Sequence, residues 1–285
     1  MIIFNKYYQK RILAKIKEKN FLGLLISVLN FFNKTLNPKY LGELPFKYFF
    51  LKKRKLIKKF TENFLEQLDD INIENIGNYL LKVNLINPNS IIYSFGIGEN
   101  IGFEKKIAEK LGCKIFCFDP TSLARNYMKV TEYDKNKIIY NDYGIYKNDG
   151  LVKFFLQDTT NSANTGGSIT NLFGNNEFVM LQCYTLSSLM KKNNHKDLDV
   201  LKLDIEGAAM DVIENILEEK IFPRQIVVEF EYSETDDINE YHFSLWSQRL
   251  KNIINRLREK NYRCYNLPRY SHMPYSTIEI LFVRK

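Results

Sequence analysis

The stretch Ile91-Ile92-Tyr93-Ser94-Phe95-Gly96-Ile97-Gly98-Glu99-Asn100-Ile101-Gly102 decides the fold. Five strand-forming residues run straight into a turn built on Gly96, Gly98 and Gly102, and an amphipathic stretch, Ile101–Leu111, follows. Glycine lets the backbone turn sharply and approach a ligand with no side chain in the way. A second apolar run, Lys114–Phe118, ends at Asp119, 23 residues after Gly96. A carboxylate at that point can accept hydrogen bonds from the two vicinal hydroxyls of a ribose. Strand, glycine turn, helix, strand and acid, in that order, is the arrangement that holds a nucleoside cofactor. It predicts cofactor contacts at Gly96, Gly98, Glu99, Asn100 and Asp119.

Outward from this unit the same texture continues. Short apolar runs recur at Lys137–Tyr140, Val152–Leu156, Phe178–Gln182, Val200–Leu203, Ile226–Phe230, Arg263–Tyr265 and Ile278–Val283. Helical patterns separate several of them: Ser122–Val130, Leu186–Lys191, Ala208–Leu217 and Ile238–Glu259. Alternation of this kind predicts an α/β fold with a mostly parallel sheet covered on both faces. No helix separates the last two runs, so the final strand is expected to pair antiparallel. Asn87-Pro88-Asn89 reads as the boundary between a front segment, residues 1–87, and a Rossmann-like domain, residues 88–285. Within the front segment, helical patterns are expected at about Phe46–Leu68 and Ile73–Asn84. Residues Asp158–Gly174, rich in Thr, Asn, Ser and Gly, read as a long polar loop able to act as a lid.

Charge separates the two parts. Residues 1–85 carry 16 basic and 7 acidic side chains; the remainder carries 25 and 26. The run Lys52-Lys53-Arg54-Lys55-Leu56-Ile57-Lys58-Lys59 within residues 46–60 would attract an anionic membrane surface, or serve as a solvated helix face. The most apolar stretch, Phe21–Phe32, has 12 residues against the ~20 a spanning helix needs, and no small-residue cleavage site follows it. Four scattered cysteines, Cys113, Cys117, Cys183 and Cys264, form no CxxC pair and read as small buried hydrophobes. A cytoplasmic protein, peripheral at most to the inner face of the membrane, is expected.

The turn spacing, GxGxNxG, departs from the GxGxxG of dinucleotide sites and favours S-adenosylmethionine, which has no pyrophosphate, over NAD. The segments Ser94–Glu104 (SFGIGENIGFE), Phe116–Thr121 (FCFDPT), Tyr140–Gly150, Val200–Ile213 (VLKLDIEGAAMDVI) and Gln225–Tyr232 (QIVVEFEY) resemble the FkbM-type methyltransferases. The resemblance covers about residues 88–285, and its most specific part is LKLDIEGA. It implies the class I methyltransferase fold, a seven-stranded sheet of order 3-2-1-4-5-7-6, and O-methylation of sugars and other small natural products. Three positions depart from the family pattern. Ser94 stands where an acid usually ends the first strand, Ala209 replaces a glutamate, and Glu231 stands where a histidine is often found.

Ligands of open α/β sheets bind outside the carboxyl ends of the strands. That rule selects Asp204, with Glu206 beyond it, and Glu229 and Glu231 on one face of the next strand. Asp204 is the expected base or acceptor-orienting group, with helix capping as its structural alternative. His272, in the expected hairpin Leu267–Ser276, is the second candidate base. Asn141 and Asp142, at the end of the third strand, are candidate adenine contacts, or simple turn residues. The spacing of Asp204, Glu206 and Glu231 is not diagnostic of a metal, and none is expected. Alternative functions are an RNA methyltransferase, a methyltransferase-fold binding protein without chemistry, and an NAD oxidoreductase. A nearly neutral domain makes nucleic acid an improbable partner beside a small-molecule or glycan acceptor.

Overall fold

A computed structural model describes residues 59–66, 70–157, 160, 162–171, 176–231, 240–266 and 277–285. The stretch Phe21–Phe32, nearly all of the basic run, and the segment 267–276 with His272 lie outside the described residues.

Seven strands form the main sheet: β3 (Ile91–Phe95), β4 (Lys114–Phe118), β5 (Ile138–Asn141), β10 (Val200–Leu203), β11 (Gln225–Glu231), β12 (Tyr262–Asn266) and β13 (Thr277–Arg284). Their spatial order is β12-β13-β11-β10-β3-β4-β5. Counted along the chain, that is the 3-2-1-4-5-7-6 order the resemblance implied. The neighbours from β11 through β5 run parallel, and β13 is antiparallel to both β11 and β12. The five helices α1 (Gly102–Leu111), α2 (Ser122–Val130), α3 (Leu186–Lys192), α4 (Ala209–Glu218) and α5 (Glu240–Arg258) fall where the helical patterns predicted them. Local chemistry sets their ends. Gly112 closes α1 in a left-handed conformation at φ 73°. Thr121 and Thr185 start α2 and α3 by accepting the N–H groups of Ala124 and Ser188.

Strands β3 and β10 are buried along almost their whole length, which is why they read as continuous apolar runs. One sheet face packs against α3, α4, α5 and Phe60, the other against α1 and α2. All four cysteines are buried and free.

Two runs do not join the main sheet. Strands β7 (Gly150–Leu156) and β9 (Phe178–Tyr184) pair with the short strands β6 (Gly144–Ile145) and β8 (Gly167–Ser168) in a second sheet of order β6-β9-β7-β8. Part of the predicted polar loop is therefore a strand.

The largest correction concerns Ile73–Asn84, expected as a helix. It is a hairpin, β1 (Ile73–Ile76) and β2 (Tyr79–Lys82), followed by a 3₁₀ turn over Val83–Leu85. Its two-residue loop, Gly77-Asn78, has positive φ at both positions (55° and 77°), the geometry that matches the twist of a tight hairpin. A Cβ at Gly77 would lie 2.5 Å from the Phe103 Cα, so the loop also packs too closely on α1 for any side chain. The hairpin is fixed to the main sheet. Lys82 N–H donates to Gln225 Oε1 (2.8 Å), and Gln225 Nε2 donates back to the Lys82 carbonyl (3.1 Å). Ile73, Ile76, Leu80 and Leu81 share a core with β3, β4 and α1.

Because Leu81 is fully buried, Leu81→Ala is expected to destabilise the protein by ~2–5 kcal/mol in urea unfolding. A loss under ~1 kcal/mol would mean that the hairpin is only loosely attached.

Candidate active site

The turn after β3 is shaped by what lies behind it. Gly96 has φ 73°, and a Cβ there would sit 1.6 Å from the carbonyl oxygen of Asp204, so no other residue fits. Gly98 has φ 50°, and a Cβ there would meet nothing within 4 Å. The first glycine thus packs on the end of β10, and the second faces open space. Gly96 N–H donates to the Phe118 carbonyl (3.1 Å) and Gly98 N–H to Asp119 Oδ2 (3.0 Å), tying the turn to the end of β4.

Asp119 is 5% exposed. Its Oδ1 accepts from Thr121 N–H (2.9 Å) and from the Thr121 hydroxyl (2.7 Å), and its Oδ2 from Gly98. A carboxylate offers about four acceptor positions, so roughly one remains, on Oδ2. Asp119 is therefore suited to hold one ribose hydroxyl, not the two the sequence suggested.

Between the turn, Asp119 and the end of β10 lies a cavity of about 280 Å³. Gly96, Gly98, Glu99, Asp119, Asp204 and Glu206 line it, together with Gly166, Gly167 and Ile169 from the polar loop. That part of the loop is a fixed wall. Ser122 Oγ accepts from Thr165 N–H (3.1 Å), and Ser168 Oγ donates to the Glu206 carbonyl (2.6 Å).

Three expected cofactor contacts do not line the cavity. Asn100 Oδ1 accepts Gly102 N–H (2.8 Å) in the turn that leads into α1. Asn141 donates to the carbonyls of Cys117 and Ile139 (3.3 Å each) and accepts the Tyr143 hydroxyl (2.9 Å). Asp142 is held by Arg125 in a two-point contact (2.8 and 2.9 Å). In each case a neighbouring donor or carbonyl has claimed the polar group.

Asp204 does line the cavity, and its helix-capping alternative fails, because Ala208 is the N-cap of α4. Tyr79, from the hairpin, donates its hydroxyl to Asp204 Oδ2. Burial first, then the Asp204 charge, raise the Tyr79 pKa far above the ordinary phenol value, so the proton stays on the tyrosine. Lys202, 3% exposed, donates to the Gly96 carbonyl (3.3 Å) and lies 3.6 Å from Asp204 Oδ2, with the Tyr79 ring 4.7 Å from its ammonium. Sequence reasoning missed both partners. The signal that could have found Lys202 is a lysine within a run that is otherwise apolar and buried.

Beyond Asp204 the chain turns through Glu206 and Gly207, both at positive φ (41° and 83°). Gly207 N–H donates to Glu231 Oε2 (2.7 Å). Burial, then the negative charges of Glu206 and Glu229, push the Glu231 carboxyl well above the usual carboxylate range. Ser94, where the first-strand acid was expected, is fully buried and donates to Glu104 of α1 (2.5 Å). The missing carboxylate is thus supplied from the following helix, but beneath the turn and outside the cavity lining.

Comparison with known proteins bears on this arrangement. No curated protein is significantly similar in sequence. Among solved structures, a precorrin-6y C5,15-methyltransferase from Geobacter metallireducens is 10% identical, covering 78% of this chain and 99% of its own, at a TM-score of 0.37. A fibrillarin from Methanococcus jannaschii is 11% identical, with coverages of 77% and 84% and a TM-score of 0.39. An Aeropyrum pernix fibrillarin with natively bound S-adenosyl-L-methionine is 12% identical, with coverages of 72% and 70% and a TM-score of 0.37. Likenesses this distant carry no information about chemistry. The family model of the FkbM methyltransferase domain, in contrast, matches residues 72–264, from the start of the hairpin to β12, and the chain belongs to that family.

Proposed function

We propose that this protein transfers a methyl group from S-adenosylmethionine to a hydroxyl of a sugar, a glycan or another small natural product. The observation that carries this reading is the cavity itself, which is lined by the glycine turn, by Asp119 and by Asp204. The cofactor fits the residues present. Gly98 leaves the space a side chain would fill, and Asp119 keeps an acceptor position for a ribose hydroxyl. Glu99, on the same wall, is the candidate partner for the ammonium of the methionine tail.

When bound there, S-adenosylmethionine supplies an activated methyl group, so the protein's task is to position the acceptor and take up its proton. Asp204 is the group for that task. Tyr79 and Lys202 both act on its Oδ2, as positioning residues whose hydrogen bond and charge fix the carboxylate. An RNA acceptor is disfavoured by the carboxylates of Glu99, Asp204 and Glu206 along the cavity, which would repel a phosphate backbone. Among the described residues no helix is long and apolar enough to cross a membrane. An anionic surface remains our proposed partner for residues 46–60.

Two outcomes test the assignment. Asp119→Ala should weaken S-adenosylmethionine binding at least ~10-fold in calorimetry, because a hydrogen bond to a charged group is worth ~1.5–3 kcal/mol. Unchanged affinity in the folded variant would remove Asp119 from the ribose site. Asp204→Asn keeps the size of the side chain and an oxygen for Tyr79, but cannot take a proton. It should leave cofactor affinity within a few-fold while cutting methyl transfer to a glycoside panel by ~10²–10⁴. Transfer at the wild-type rate would mean that Asp204 is not the base. Transfer to RNA and to no glycoside or small hydroxyl compound would overturn the acceptor class.

A further inference from the structure

The cavity crosses the carboxyl edge of the sheet in a fixed order. Strands β10, β3 and β4 are successive neighbours, so Asp204, Gly96 and Asp119 follow one another along that edge. Leu123, in the first turn of α2, lies beyond Asp119. The proposed function puts the methyl group beside Asp204 and a ribose hydroxyl on Asp119. A ribose carries the sulfonium arm and the base at opposite ends, so the adenine of the cofactor belongs at the Leu123 end. Asn141 and Asp142, the residues the sequence suggested for it, do not line the cavity and are held by Tyr143, Arg125 and nearby carbonyls.

The second sheet supplies what lines that end instead. Ile145 of β6 and Phe154 of β7 are buried there, and Leu123 adds a third apolar side chain. Gly166 and Gly167 contribute no side chain to the lining, which leaves room for a flat ring. The loop is tied to this end by its backbone. Leu123 N–H donates to the Thr165 carbonyl (3.3 Å), and Gln157 N–H donates to the Gly166 carbonyl (3.0 Å). A Cβ at Gly166 would sit 2.8 Å from Gln157 Oε1 and 3.8 Å from Leu123 Cδ2. The Gln157 carboxamide therefore lies across Gly166, close to Leu123. The other polar side chains of the lining are placed elsewhere. Thr121 donates its hydroxyl to Asp119 and accepts Ala124 N–H. Glu99 belongs to the glycine turn, and Asp204 and Glu206 follow β10.

We infer that Gln157 reads the adenine base of the cofactor, from the second sheet and not from the end of β5. A carboxamide matches adenine because its oxygen accepts from the exocyclic amino group while its NH₂ donates to the neighbouring ring nitrogen. It carries two donor hydrogens and two acceptor positions, so another contact within the chain does not exhaust it. Leu123, Ile145 and Phe154 offer the base apolar contact, which any purine would satisfy. Gln157 supplies the choice among purines, because a base without the amino group leaves the carboxamide oxygen facing no donor. The base is remote from the transferred methyl group, so Gln157 sets cofactor affinity and leaves the chemical step alone. The assignment rests on the proposed placement of the ribose at Asp119.

The test is a cycle of one side chain against one ligand group, read by calorimetry on the full chain. The probes are S-adenosylhomocysteine and its analogue with hydrogen in place of the exocyclic amino group. The wild-type protein should bind the first ~3–10-fold more tightly than the second. Gln157→Ala should weaken S-adenosylhomocysteine by a similar factor and distinguish the two ligands by less than ~2-fold. Gln157→Glu keeps the acceptor and should keep the preference for the amino group, which decides the matter even if the alanine variant does not fold. Equal binding of the two ligands by the wild-type protein, or an undiminished preference in folded Gln157→Ala, would overturn the assignment. Collapse of the preference in Gln157→Ala beside unchanged affinity in Asp119→Ala would support Gln157 and overturn the ribose placement instead.

Discussion

The site depends on one close approach, that of the Gly96 backbone to the Asp204 carbonyl. Strands β3 and β10 are parallel neighbours, and their carboxyl ends stop at the same level because Leu203 pairs with Phe95. A side chain at position 96 would drive into the Asp204 backbone, so the turn can lie flat across the end of β10 only as glycine. With the turn in that position, Gly98 reaches Asp119 on one side, and the Gly96 carbonyl reaches Lys202 on the other. The cofactor wall and the candidate base are therefore held in fixed relation by contacts to the turn's main chain, and Asp204 N–H itself donates to the Phe95 carbonyl (3.2 Å).

A different kind of constraint fixes the other half of the site. Its members come from separate elements: Tyr79 from the hairpin, Lys202 from β10 with Asp204 just beyond its end, Glu229 and Glu231 from β11, Glu279 from β13. Their convergence follows from sheet register. Side chains alternate between faces with a period of two, so a one-residue slip of β11 against β10 would turn its glutamates to the opposite face. The buried Gln225, exchanging hydrogen bonds with Lys82, ties the hairpin to the start of the same strand and so brings Tyr79 above Asp204.

This division explains what the sequence made legible. The main strands and all five described helices could be read because burial leaves apolar runs and helical periodicity that survive in a single sequence. Gly96, Gly98 and Asp119 could be read because backbone geometry restricts which residues serve there. The hairpin at Ile73–Lys82 was missed because its apolar residues also fit a helical spacing. Gly77-Asn78, a two-residue loop between short strands, was the overlooked signal. Asn141 and Asp142 were placed at the right strand end, but nothing in their identity told that Arg125, Tyr143 and nearby carbonyls would occupy them. Pairings between elements are set by tertiary packing and leave no local pattern.

The departures from the family pattern become coherent once charge is considered. Ser94 removes a carboxyl from the strand end, but Glu104 brings one to its hydroxyl from α1, so a buried carboxyl group stays next to the end of the first strand. Glu231 stands where the family often has a histidine, and a histidine could carry a positive charge or remain neutral in that position. A glutamate there adds to the charge of Glu229 and Asp204 at close range, in surroundings where water can do little to screen it. Such a substitution is tolerable only if the neighbourhood already supplies positive charge or takes it up from solution. Lys202 is committed to Gly96 and Asp204. Glu231 itself accepts from Gly207 N–H, and burial with the charges of Glu206 and Glu229 pushes its carboxyl well above the usual carboxylate range, so a proton taken up there relieves the like charges at close range.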